Sequence, residues 1–183
     1  GGTIDHDVAT PAVWSPASVF TKKDGSKVVF PYGYLDRGKP GCIAVNNEGK
    51  RFVNEAHSYQ DVVKAMFDAT PMGQVPKAHL ICDSNFMYKY GLGMVRPHHI
   101  GLKKFLKSGY LFKESSLSSM ANAIGVDPEN LVATVTRHNY FASIGVDEDF
   151  GKGSTAFNAF NGDPTVKPNS NLSPILKAPF YAL

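Results

Sequence analysis

No run of eighteen apolar residues occurs in the 183-residue sequence, so no segment of it is suited to cross a bilayer as a helix. No basic stretch leads into an apolar one near its start, so no secretion signal is visible within it. Cysteine is scarce. Cys42 and Cys82 each sit in a short apolar run, without the close spacing of a metal pair, and are expected to be buried free thiols. A cytoplasmic chain is the simpler reading. Charge of one sign is not concentrated either: the formal net charge is +3, with Lys and Arg scattered along the sequence, and nucleic-acid binding is not indicated.

Signature chemistry is missing as well. No Ser-His-Asp, paired-carboxylate or phosphate-loop pattern is present. Gly91-Leu92-Gly93 follows a helical pattern rather than a strand and lacks the third glycine of a nucleotide fingerprint, so it reads as a turn. Asp5-His6-Asp7 cannot point three adjacent side chains at one ion without further ligands, and His98-His99 lies in an ordinary loop and matches no metal spacing. No metal is expected.

What is there is organised around Pro40 to Met66. Two short apolar runs, Cys42 to Val45 and Arg51 to Val53, flank Asn46-Asn47-Glu48-Gly49, which predicts a β-hairpin. Ser58 then caps a helix, with Asp61 as its acidic partner and Val62, Val63, Met66 and Phe67 at helical spacing. Tyr59 becomes the first helical residue, beside backbone N–H groups without intrahelical partners. That positive end favours a phenolate by about 0.3–1 kcal/mol, too little alone to make the tyrosine a base.

Elsewhere, Asp24-Gly25 marks a turn before a strand at Val28-Val29-Phe30. A strand is expected over Ala78 to Cys82, then a short helix capped at Asp83-Ser84. Helical patterns cover Ile100 to Lys107 and Ser115 to Ala123, with a brief strand at Tyr110 to Phe112. Asp127-Pro128-Glu129 is a strong helix start, and Leu131, Val135, His138 and Phe141 make a core stripe ended by Gly145. His138 on that stripe reads as a core histidine more readily than a ligand. From Asp147 to Pro174 periodicity disappears and a long functional or packed loop is expected. The class is α+β, with a small mixed or antiparallel sheet, hairpins and several packed helices in a single domain over residues 1–183.

Three landmarks carry a family resemblance. Gly49-Lys50-Arg51-Phe52-Val53-Asn54-Glu55, Thr134 to Asn139 followed by Gly145 to Gly151, and Ala178-Pro179-Phe180-Tyr181 occur in the order found in the capping domain of the fumarate reductase and succinate dehydrogenase flavoproteins. The form Asn54-Glu55-Ala56 with Tyr59 and Asp61 resembles the 3-ketosteroid Δ1-dehydrogenase branch. The resemblance implies that Tyr59 removes a proton from the substrate ring while flavin N5 takes the hydride. Fumarate reductases instead place a proton-donating arginine at this helix start, fed by a glutamate and an arginine upstream. Here Tyr59-Gln60 stands in its place, and Arg37 survives upstream without the glutamate.

The resemblance makes Arg37, Arg51, Asn54 and Glu55 supports of the motif. Phe52, Met66 and Trp14 could wall an apolar substrate site, or, for Phe52 and Met66, be plain core; Tyr59 is a base or a half-exposed helix-start tyrosine. FAD would belong to the parent enzyme and be bound by a separate domain, which is then this chain's partner along with a small apolar substrate. Gly1-Gly2 at one end and the apolar Phe180 to Leu183 at the other read as the edges of an excised fragment, inactive alone and able to self-associate. Two rival readings remain: a cap of an enzyme that reduces an unsaturated acid, and a stand-alone binding module.

Overall fold

The computed structural model describes residues 15–32 and 36–183. Trp14 and the Asp5-His6-Asp7 cluster lie outside the described residues. β1 (Ala17–Thr21) and β2 (Lys27–Pro31) pair antiparallel through the expected turn, where Asp24 accepts hydrogen bonds from the backbone and hydroxyl of Ser26. Alternation gives the hairpin two faces. Phe20 turns inward against the rings of Phe105 and Tyr110, at 5.3 and 5.8 Å, while Val19 and its cross-strand partner Val29 face outward.

Four strands form the second sheet in the order β3 (Cys42–Val45), β4 (His79–Cys82), β6 (Phe180–Ala182), β5 (Phe112–Glu114), all antiparallel. Ile43, Val45, Ile81 and Ala182 cover one face and pack on α4 (Leu117–Ile124) and α5 (Pro128–Ile144) through Met120, Ala121, Leu131 and Val135. Cys42, Cys82 and Tyr181 cover the other, against Phe86 and Met87 of α2 (Ser84–Tyr90) and Phe105 of α3 (Leu102–Lys107). Each fully buried aliphatic or aromatic side chain contributes roughly 1.5–3 kcal/mol, so these two layers hold the domain.

Local chemistry explains the helices. Asp127 caps α5 by accepting the Asn130 N–H at 2.8 Å, Pro128 starts it, and Gly145 ends it at φ 75°. Leu131, Val135, His138 and Phe141 are fully buried, as the stripe predicts. Cys42 and Cys82 are buried free thiols, opposite each other across β3 and β4.

Four expectations change. The hairpin over 42–53 shrinks to its turn and one bridge, Val45 to Arg51, because the Glu55 carboxylate takes the Ala44 N–H that a second strand would have engaged. The long polar stretch contains α6 (Ala156–Asn161), capped by Thr155. Its buried residues are Asn158 and Asn161 while Phe160 is 87% exposed, which inverts the usual pattern. The strand near Tyr110 begins at Phe112, and the buried Tyr110 ring packs under the first hairpin. His98 and His99 are not an ordinary loop: both have positive φ, at 58° and 62°, and both rings stack edge-on to Tyr88.

Candidate functional site

The Gly49–Glu55 motif leaves a tight turn closed by Asn46 N–H to Lys50 O at 2.9 Å and Gly49 N–H to Asn46 O at 3.0 Å. From there the chain dives inward. Arg51 donates through Nε and Nη2 to both Glu55 carboxylate oxygens at 2.9 Å, and through Nη1 and Nη2 to Asp147 at 3.1 and 2.9 Å. Lys152, fully buried, donates to the Cys42 carbonyl at 2.7 Å and lies 3.3 Å from Glu55. Burial by itself would raise the Glu55 pKa. Arg51 and Lys152 overcome it and hold the carboxyl down at about 2.

Asn54 extends the lattice. Its amide donates to the Phe150 carbonyl and to Asn158, its oxygen accepts the Ala56 N–H, and Asn158 returns a bond to the Ala56 carbonyl. Buried polar groups of this kind are expensive unless every one is paired, which is why the motif needs the 147–158 segment beside it. Arg37, also buried, donates to the carbonyls of Tyr32, Glu55 and His57. Two of those carbonyls lie in the four residues before the next helix, so Arg37 fixes how the chain enters it.

That helix is α1 (Tyr59–Asp68). Ser58 Oγ accepts the Asp61 N–H at 3.2 Å and donates to the Asp61 carboxylate at 2.7 Å. Tyr59 is its first residue and half-buried. Positions 59, 62, 63 and 66 share a helical face. Val62 and Met66 of that face line a cavity of about 450 Å³, together with Phe52, Tyr32, Arg37 and His79. Phe52 and Met66 also pack on Ala44, Val53 and Val62, so they are wall and core at once. Tyr59 stands one turn before the cavity wall and is not part of its lining. Sequence reasoning missed Lys152 and Asn158, and gave Asp147 no role beyond its place in the Gly145–Gly151 landmark, because nothing in a stretch without periodicity marks which polar residues turn inward.

Two histidines are buried in neutral form. Desolvation, helped by Lys77, lowers His79 to about 4, and desolvation with Lys152 and Arg51 lowers His138 to about 4. His138 Nε2 lies 3.0 Å from the Ser173 carbonyl, which makes it the protonated nitrogen. Asp36 moves the other way, raised by burial to about 6 against the Gly93 N–H and Arg37. Between pH 6 and 5 the unfolded chain takes up a proton on each histidine that the folded chain does not, whereas Asp36 is protonated in the folded chain first. The balance of about one proton predicts a loss of about 1.4 kcal/mol per pH unit on acidification over that window. Urea unfolding at pH 6, 5.5 and 5 measures that slope; in His138→Gln it should fall close to zero.

Gly91 and Gly93 follow α2 rather than a strand, so this glycine pair does not form the strand-to-helix turn that cradles a dinucleotide phosphate. The chain nevertheless overlays a solved flavoenzyme, the 3-ketosteroid Δ1-dehydrogenase of Sterolibacterium denitrificans crystallised with 1,4-androstadiene-3,17-dione. The TM-score is 0.82 at 34% identity, over 93% of this chain and 31% of that one. An open flavocytochrome c3 fumarate reductase shares the fold at TM-score 0.53 and 20% identity, over 93% of this chain and 24% of that one. The fold is therefore that of a flavoprotein dehydrogenase. The profile of the FAD binding domain family matches residues 1–183, and the chain belongs to that family.

Curated relatives agree. The 4-oxocyclohex-2-ene-1-carboxylate 5-dehydrogenase of Sinomonas cyclohexanicum is 42% identical over all of this chain and 31% of its own length. The 3-oxosteroid 1-dehydrogenase of Mycolicibacterium smegmatis is 38% identical over 82% of this chain and 27% of its own. The chain thus spans about a third of the length of the relatives it matches, and the resemblance to the ketosteroid dehydrogenase branch of these flavoproteins stands. Among the described residues no helix is long and apolar enough to cross a membrane.

Proposed function

We propose that this chain is the substrate-capping domain of an FAD-dependent dehydrogenase that desaturates a ketosteroid or similar cyclic ketone. Tyr59 is the base that removes the proton from the carbon beside the ketone. The observation that carries the reading is the place of Tyr59 at the capped start of α1, on one face with Val62 and Met66, beside a cavity walled by Phe52. Such a wall suits an apolar ring and excludes water from it. Both relatives are dehydrogenases of an oxo-bearing ring. FAD, held by residues outside the described ones, would supply the hydride acceptor.

Arg37, Arg51, Asn54 and Glu55 act in this reading as supports that fix the approach to α1. Reduction of an unsaturated acid fits less well, because the Arg51 guanidinium is spent on Glu55 and Asp147 rather than held for a substrate carboxylate.

Tyr59→Phe in the full-length flavoprotein tests the proposal. Loss of a general base lowers turnover by about 10²–10⁴-fold, and the flavin absorbance should stay that of the parent. Turnover within fivefold of the parent would remove Tyr59 from the chemistry. The isolated 183-residue chain should turn over no ketosteroid; activity from it alone would overturn the capping assignment.

A further inference from the structure

The lysines that look scattered along the sequence are gathered by the fold. Lys22, Lys23 and Lys27 surround the tip of the β1–β2 hairpin, and Lys103, Lys104 and Lys107 lie on α3. Hairpin tip and helix meet in a groove lined by Phe20, Lys22, Lys23, Lys104 and Lys107, with the Lys104 ammonium 4.9 Å over the Phe20 ring. All six lysines are exposed. None has an ion pair among the described residues, whereas Lys50, Lys64, Lys89 and Lys152 each do. Asp24 is the acid in this group, and its carboxylate is turned back to Ser26. Among the described residues, six lysines and one aspartate leave the patch at +5.

An apolar strip runs beside the lysines. Val29 is 59% exposed on the outer side of the hairpin, beside Lys27 and across from Val19, which is 50% exposed and also lines the cavity beside α1. From these neighbours we infer that the hairpin and α3 form a peripheral docking surface for an anionic phospholipid bilayer. Lysine, a point charge on a flexible stem, suits a diffuse field of headgroups, whereas a surface built for a folded acidic partner favours the fixed fork of arginine. No arginine occurs in the patch. The stems can lie along the interface while Val29 enters it, a combination that charge alone would not require. This inference stands on the patch itself and does not need the flavin chemistry.

Co-sedimentation of the full-length protein with vesicles tests it. Vesicles of two parts phosphatidylcholine to one part phosphatidylglycerol should bind at least tenfold more protein than pure phosphatidylcholine, and 0.5 M NaCl should release it. Lys22→Gln/Lys23→Gln/Lys27→Gln should weaken that binding about a hundredfold with an unchanged melting temperature. Val29→Ser, which keeps every charge and leaves the cavity lining intact, should weaken it about twofold or more. Equal binding to both vesicle types, or a triple lysine variant that binds like the parent, overturns the inference. So does retention by soluble polyglutamate with no binding to vesicles, since the lysines would then serve an acidic protein.

Discussion

Glu55→Ala is expected to take about 3–5 kcal/mol from stability, a third or more of the roughly 5–15 kcal/mol that a typical domain has. The carboxylate is fully buried and receives Arg51 twice, the Ala44 N–H once, and the charge of Lys152 at 3.3 Å. Alanine leaves Lys152 without a counter-ion in a site that water does not reach, and Arg51 with Asp147 alone. The cost is the uncompensated charge rather than the lost bonds, because the pair in place already offsets much of its desolvation. Urea unfolding should show a lower midpoint with the slope retained. Adding Lys152→Met should recover part of the loss, since the two positions share one network. A Glu55→Ala protein that melts within 2 °C of the parent would mean that the buried ions are paired some other way.

Gly91→Ala should be nearly as severe for a different reason. Gly91 has φ 72° and ψ −175°, a region that essentially only glycine adopts. Its added Cβ would meet the Val95 carbonyl oxygen at 2.2 Å, Arg96 C at 2.9 Å and Pro97 N at 3.0 Å. These are backbone atoms of a turn closed by two Leu92–Val95 hydrogen bonds of 2.9 and 3.0 Å, so they cannot step aside cheaply. A loss of more than about 3 kcal/mol is expected, from clash and strain together. Gly73 is the control: φ is 84°, but nothing lies within 4 Å of its Cβ. Alanine there should cost about 1 kcal/mol, from the left-handed backbone alone. Equal melting temperatures for the two variants would show that the turn moves freely.

The elements legible in the sequence are those set by neighbours in the chain. Asp127-Pro128 with the stripe to Phe141, Ser58 ahead of α1, and Asp83 ahead of α2 each carry their own cap and period. The candidate site was legible only in its local half. Ser58 and Tyr59 announce a helix start, but Arg51 meets Asp147 across 96 positions and Lys152 meets Cys42 across 110. No pattern within a window reports such pairs. α6 escaped because its inward residues are asparagines: Asn158 bonds Asn54 and the Ala56 carbonyl, and Asn161 the Phe157 carbonyl, rather than excluding water. The same limit hid the basic surface: Lys22 and Lys107 are far apart in the chain and line one groove.

The strand order β3-β4-β6-β5 bears on how the chain is made. β6 is the last strand in sequence yet lies between two earlier ones, joining Ile81 and Cys82 on one side to Phe112 through Glu114 on the other. During synthesis β4 and β5 therefore leave the ribosome with an unpaired edge each, and neither can be closed until residues 180–182 have emerged. Both of these edges wait for β6, so nascent chains stalled before Phe180 are those that should recruit chaperones.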